Sequence, residues 1–192
     1  MNDEPSVPAK LGAKEFEDLC LFRARQDEEA GLLTMGRYGV QVNRIGGEWQ
    51  PVDSLPDFEG CLPNGRQFVF DCKVCSGPSL DLAGGSGRSF NARQYRHLIR
   101  RSRFGALTFL LVHFNARVLK RSEDPAQTVC IPVTHTSDLW QQYDRAEWKA
   151  LSRNTSLLYG FAVGWDVGSK TGRGKATPNL GEALKRLSQV GG

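Results

Sequence analysis

The sequence predicts an α/β fold in which a mixed β-sheet carries helices on both faces. Three observations point there. Periodic segments follow in the order helix, three strands, helix, strand, strand, helix. The run from Ala106 to Phe114 is almost continuously apolar, as in a central strand covered on both sides. Residues 57–75 read as two strands around Leu62-Pro63-Asn64-Gly65-Arg66, a turn with Asn-Gly at its centre.

Taken in order, residues 1–8 are expected to be disordered. Residues 9–30 read as a helix with Leu11, Phe16, Leu19, Cys20 and Ala24 on its apolar side and Gly31 as its stop. Tyr38 to Ile45 should be a strand, ended by Gly46-Gly47, and the hairpin of residues 57–75 follows. Residues 76–88 form a Gly/Ser-rich loop that lacks the Gly-Lys-Ser/Thr ending of a phosphate-cradling loop. A helix is expected over 90–103 with Tyr95, Leu98 and Ile99 inward, then strands over 106–114 and 128–133. A helix over 138–152 would carry Trp140, Tyr143, Trp148 and Leu151, and residues 158–163 suit an edge strand or a buried turn. Asn179-x-x-Glu182 resembles a capping box opening a last short helix with Leu180, Ala183, Leu184 and Leu187 as its stripe. The expected division is one domain over 9–166, followed by a basic Gly-rich segment and short helix over 167–192.

The chain has 192 residues, 40% hydrophobic and 24% charged, enough for a real core. Its acidic start is not that of a signal peptide, and its longest strongly apolar stretch, Ala106 to Val112, is too short to span a bilayer. A soluble, cytoplasmic protein with no membrane partner is expected. Five cysteines (20, 61, 72, 75 and 130) form no secreted-scaffold pattern. Cys72-x-x-Cys75 invites a zinc or redox reading, but no second cysteine pair lies at ligand spacing, and a continuing strand puts the two on opposite faces. Half-buried free thiols are the simpler expectation.

The hairpin holds the chemistry. Asp57 lies in Leu55-Pro56-Asp57-Phe58-Glu59-Gly60, and Asp71 in Gln67-Phe68-Val69-Phe70-Asp71-Cys72-Lys73-Val74. Residues two apart on a strand share a face, so Asp71 and Lys73 point together while Phe68, Phe70, Cys72 and Val74 point into a core. By composition, an Asp followed by Asp/Glu-x-Lys at this distance arises about once by chance. The context is more selective: Pro56-Asp57 is the chain's one Pro-Asp pair, and the triplet follows an apolar run. Asp and Lys are rarely buried unless paired, so such a strand carries them for a use. Two carboxylates suit Mg²⁺, which takes oxygen ligands and keeps waters for a phosphate substrate. The bland alternative is a strand-edge ion pair with Lys73 solvated.

Net charge is +4, unevenly distributed. From Arg88 to Arg103 there are six arginines and no acid. Arg93, Arg96, Arg100 and Arg103 are spaced three, four and three, one stripe along a helix. Their mutual repulsion would be relieved by a polyanion; a solvated basic face is the alternative. Lys170, Arg173 and Lys175 form a second, Gly-rich basic segment, either a clamp on phosphates or a linker. Glu17, beside the apolar side of the first helix, is either an ordinary exposed glutamate or a further acid at the site.

These residues carry a resemblance. The chain resembles the PD-(D/E)xK nuclease superfamily with its restriction-endonuclease-like core, and its order is similar to RecU-type Holliday junction resolvases (penicillin-binding-protein-related factor A). The matching places are Gly12 to Glu17, Pro56 to Gly60, Phe70 to Lys73, and Gln94 to Leu98 with Phe104-Gly105-Ala106 and the strand ending at Phe114. The resemblance implies that Asp57, Asp71 and the Cys72 backbone carbonyl ligate Mg²⁺ or Mn²⁺. It implies that Lys73 positions or activates the attacking water, that Glu17 completes the acidic cluster, and that Gln94 adjoins the site. The family's usual Glu is Asp71 here, and no segment is assignable to the stalk that resolvases insert into a junction.

The expectation is a metal-dependent DNA endonuclease, in particular a homodimeric resolvase of four-way junctions in recombination or repair. The DNA would be held by Arg88, Arg93, Arg96, Arg100, Arg103, Lys170, Arg173 and Lys175. A nuclease of another branch cutting duplex DNA, restriction-like or for repair, and a non-cleaving DNA-binding module of the same fold are the alternatives.

Overall fold

Six strands build one mixed sheet in the computed structural model, which describes residues 7–38, 42–45, 48–51, 55–82, 90–119, 122–145, 149–167 and 175–190. They are β1 (Thr34–Arg37), β2 (Phe58–Cys61), β3 (Gln67–Cys75), β4 (Leu107–Phe114), β5 (Gln127–Pro132) and β6 (Phe161–Ala162), and they lie side by side in chain order. All neighbours pair antiparallel except β3 and β4, whose parallel pairing runs from Phe68↔Leu107 to Cys75↔Phe114. A parallel neighbour requires a crossover, and here it contains helix α2 (Ala92–Arg103), numbered after α1 (Ala13–Glu29). Every residue of β4 is buried, as its apolar run predicts.

Strand alternation divides the core into two layers. On one face Phe68, Phe70, Cys72, Phe109, Leu111 and Cys130 pack against Phe16, Leu19, Cys20 and Ala24 of α1. On the other, Val69, Cys75, Leu110, Val112, Val129 and Ile131 pack against Tyr95, Leu98 and Ile99 of α2 and against Leu139 and Trp140 of α3 (Asp138–Asp144). The mixed sheet with helices on both faces is therefore as expected. Helix α4 (Arg153–Tyr159) follows, and α5 (Leu180–Val190) places Leu180, Ala183, Leu184 and Leu187 in the α1 layer. The Asn179 side chain accepts from the Glu182 amide at 2.9 Å, the cap the sequence suggests. Among the described residues no helix is long and apolar enough to cross a membrane.

Several boundaries differ from expectation for identifiable reasons. Helix α1 begins at residue 13 because the preceding segment is tied to the end of β4. Leu11 N–H donates to Asn115 Oδ1 at 2.8 Å, and Ala116 N–H to the Ala9 carbonyl at 2.7 Å. Residues 1–6 lie outside the described residues, while Val7 packs against the α1 layer. Of the strand expected over Tyr38–Ile45, only Val42–Ile45 is strand among the described residues. β1 precedes it, and Val42–Ile45 pairs with Glu48–Pro51 in a separate hairpin. The helix expected over 138–152 stops at Asp144. Ala150–Ser152 instead pairs with Ser79–Asp81, burying Leu151 against Leu80, and the Ser152 hydroxyl caps α4 by accepting from Thr155 N–H at 3.1 Å. Trp148 lies outside the described residues. Within 158–163, Leu158 is an exposed residue of α4 and only Phe161–Ala162 is strand. A hairpin of Trp165–Val167 with Ala176–Pro178 was not foreseen.

Candidate active site

The last ladder pair between β2 and β3 is Phe58↔Phe70. Two residues further on, Pro56 would stand opposite Cys72. The N–H and C=O of one strand residue point to the same neighbour. Proline has no N–H to offer the Cys72 carbonyl, so the ladder stops there. The Cys72 N–H donates instead to Asp57 Oδ2, at 2.7 Å. Its carbonyl lies on that same side of β3, next to the Asp57 carboxylate and without a ladder partner.

Asp71 is completely buried on the α2 face. Gln94 Nε2 donates to Asp71 Oδ1 at 2.6 Å, and Lys73 Nζ forms an ion pair with Asp71 Oδ2. Gln94 is held by the start of α2. The Asn91 side chain caps the helix by accepting from the Arg93 and Gln94 amides at 3.0 and 2.9 Å. Gln94 Oε1 in return accepts from Asn91 N–H at 3.3 Å, which leaves Nε2 pointing at the carboxylate. Local helix capping thus orients a side chain of the site.

Burial, with the Asp57 carboxylate beside it, pushes the Asp71 pKa up to about 7 against the opposing pull of Lys73. For Lys73, burial acts downward, but the Asp71 and Asp57 carboxylates outweigh it and hold the ammonium above its ordinary value. Lys73 is therefore charged at neutral pH. Burial and the Asp57 charge raise the Glu17 pKa, while Arg37 and Lys73 lower it. Glu17 thus feels both Asp57 and Lys73, but its direct partner is Arg37 Nη2 at 3.0 Å.

The structure brings Asp57, Asp71, Lys73 and Gln94 together and sets Glu17 at their margin. A cation would relieve the repulsion between the Asp57 and Asp71 carboxylates, which adds to burial in raising the Asp71 pKa. The available donors, Asp57, Asp71 and the Cys72 carbonyl, are all hard oxygens, which fits Mg²⁺ or Mn²⁺. Among the described residues no group of three or more His, Cys, Asp or Glu could form an all-side-chain cage. Such a set would leave several positions to water and phosphate. All five cysteines are free thiols; Cys20 and Cys72 stand 3.7 Å apart, and Cys72 and Cys75 lie in opposite layers.

Arg93, Arg96, Arg100 and Arg103 are exposed on the outward side of α2. Arg88, Lys170 and Arg173 lie outside the described residues. Lys175 is exposed and borders a cleft with Lys10, Lys14 and Arg25 along α1, so it does not share the arginine face of α2.

Two residues at the site were not singled out from the sequence. Tyr38 N–H donates to the Asp57 carbonyl at 2.9 Å, and its hydroxyl stands 3.5 Å from His97 Nε2. Burial and Glu59 push the Tyr38 pKa up to about 12, while burial, Arg100 and Arg101 lower that of His97. His97 follows Gln94 by three residues and so shares its helix face. Tyr38 is placed by the β1–β2 register, for which the sequence holds no signal.

No protein-family model matches the chain, and no curated protein matches it in sequence. Among solved structures it is similar to that of Hjc, a Holliday junction resolvase from the archaeal hyperthermophile Archaeoglobus fulgidus. The two are 15% identical over 78% of this chain and 90% of that one, with a TM-score of 0.42.

Proposed function

We propose that the protein is a metal-dependent DNA endonuclease that hydrolyses phosphodiester bonds, acting as a homodimer on branched DNA such as a four-way junction. The observation that carries this reading is the convergence of Asp57, Asp71 and Lys73 where the β2–β3 ladder stops, with Gln94 fixing the buried carboxylate. Branched DNA and the homodimer come from the family resemblance.

Asp57, Asp71 and the Cys72 carbonyl would hold Mg²⁺ or Mn²⁺. When bound, such an ion acidifies water and draws charge from the scissile phosphate. Lys73 stays protonated, so it serves as an electrostatic stabiliser of the phosphate and not as a base. Gln94 keeps Asp71 in one orientation through its hydrogen bond to Oδ1. The arginines of α2 hold backbone phosphates, which positions DNA without reading its sequence.

The test is cleavage of junction, flap and linear duplex DNA in Mg²⁺, with cut sites mapped, by wild type and Asp71→Ala. Cleavage by wild type alone supports the reading. No cutting by wild type, or equal cutting by both, overturns it. A preference for linear duplex would move the protein to another nuclease branch.

A further inference from the structure

We propose that Phe104 is a base-stacking platform at the end of the α2 arginine row, and that it directs the protein to DNA containing an unpaired or unstacked base. The inference rests on DNA being the ligand. Phe104 is 86% exposed, an aromatic side chain presented to solvent next to the arginine row. It follows Arg100 by four residues, as Arg100 follows Arg96, so it continues the same stripe. Arg93 to Phe104 span about 16 Å along the helix, a length that covers several phosphates of one strand.

The tip that presents Phe104 is firmly tied. Phe104 N–H donates to the Arg101 carbonyl at 3.1 Å, and Gly105 N–H to the Ser102 carbonyl at 3.0 Å. Gly105 takes φ +86°, a conformation that glycine adopts without strain, and turns the chain away into β4. The β2–β3 turn braces it, with Arg66 Nε donating to the Gly105 carbonyl at 3.2 Å. Arg101 points aside, to Gln67 Oε1 at 2.8 Å. An aromatic ring carried on this tied backbone beside a row of cations suits a nucleobase next to its phosphates, because every base offers a π-face.

Charge also selects the occupant. Among the described residues no acidic side chain pairs with Arg100 or Arg103. A symmetric contact with a second copy through this tip would set these arginines against their own counterparts. A polyanion removes that repulsion.

The experiment uses the full chain in EDTA, so that no strand is cut, with three fluorescent probes: a continuous duplex, the same duplex with one unpaired 2-aminopurine, and a four-way junction. The expected result is that Phe104→Ala weakens binding to the bulged and junction probes about tenfold, the scale of one lost stacking contact. Binding to the continuous duplex should change less than twofold, and Phe104→Tyr should restore the preference. The 2-aminopurine emission should be quenched by wild type and Phe104→Tyr but not by Phe104→Ala. Arg100→Ala should weaken all three probes alike and lower the salt slope by about 1. Equal binding of all probes by wild type and Phe104→Ala overturns the inference, as does a dimer in sedimentation that Phe104→Ala dissociates. Cleavage in Mg²⁺ separates the two readings. Cutting without Phe104-dependent binding removes only this inference, whereas Phe104-dependent binding without cutting removes only the nuclease.

Discussion

Gln94 on α2 and Asp71 on β3, 23 residues apart in sequence, are joined by a 2.6 Å hydrogen bond within the buried part of the site. The bond has a direction, because the Gln94 carbonyl oxygen is already engaged by the Asn91 amide. Gln94 is therefore a positioning residue. Gln94→Ala should lower Mg²⁺-dependent cleavage roughly 10- to 100-fold, the usual cost of losing a group that orients a metal ligand. The defect should be partly overcome by raising Mg²⁺, which a titration of rate against metal concentration reads directly. Gln94→Glu should be worse than Ala, because it sets a third carboxylate against Asp71.

The raised pKa of Asp71 makes the metal-free fold less stable as pH rises. The folded state retains a proton that the unfolded chain has released between the ordinary aspartate value and about 7, so stability falls across that window. Every tenfold difference in proton affinity between the two states corresponds to about 1.4 kcal/mol. Asp71→Asn should abolish this dependence, giving urea midpoints at pH 8 that fall less, relative to pH 5, than those of wild type. Saturating Mg²⁺ should restore stability at pH 8 to wild type and not to the variant.

His113 acts in the opposite direction. It is wholly buried between Phe16 and Trp165, and its Nδ1 stands 3.0 Å from the Thr128 hydroxyl. Burial lowers its pKa to about 4. The unfolded chain then binds a proton that the fold does not, so stability is lost as pH falls from about 6.5 to 4, by roughly 3 kcal/mol. The two slopes oppose one another in wild type. A His113→Gln variant should therefore be relatively more stable at pH 4.5 than at pH 7, and Asp71→Asn relatively less. Parallel thermal melts of the three proteins would refute this if their pH profiles had the same shape.

Gly60 sits in β2, paired with Met35 on one side and Phe68 on the other. A Cβ there would collide with the Phe68 ring and with the Thr34 carbonyl, which belongs to backbone and cannot rotate away. Gly60→Ala should cost about 3 kcal/mol or more, by forcing β1 from β2. Gly36→Ala, in the adjacent strand with open space around it, should cost less than about 1 kcal/mol. Denaturant unfolding of the two side by side separates crowding from the loss of glycine as such.

The features legible in the sequence are those whose cause is local. The apolar run of β4, the Asn-Gly turn with Gly65 at φ +81°, the shared face of Asp71 and Lys73, and the leucine stripe of α5 are read from spacing alone. β1 is not legible, because Thr34-Met35-Gly36-Arg37 is largely exposed and shows no alternation of apolar residues. The break after Asp144 is hidden because Leu151 fits a helical stripe equally well; only its partner Leu80, 71 positions earlier, decides for a strand. Tyr38 and His97 meet across 59 residues through the register of β1 and the docking of α2, neither of which a motif encodes.

Helix α2 presents two faces: one carries Gln94 onto the buried carboxylate, and the other carries the arginine row. Twelve residues joined by backbone hydrogen bonds move as one body. Any strain that a ligand placed on the outer face would therefore be felt at the Asp71 oxygen without an intervening hinge. If the protein is the nuclease proposed above, grip and chemistry would be mechanically coupled, so a poorly seated strand would also misalign the carboxylate that holds the metal. Discrimination between substrates can then appear in the rate of cleavage even where affinity hardly differs.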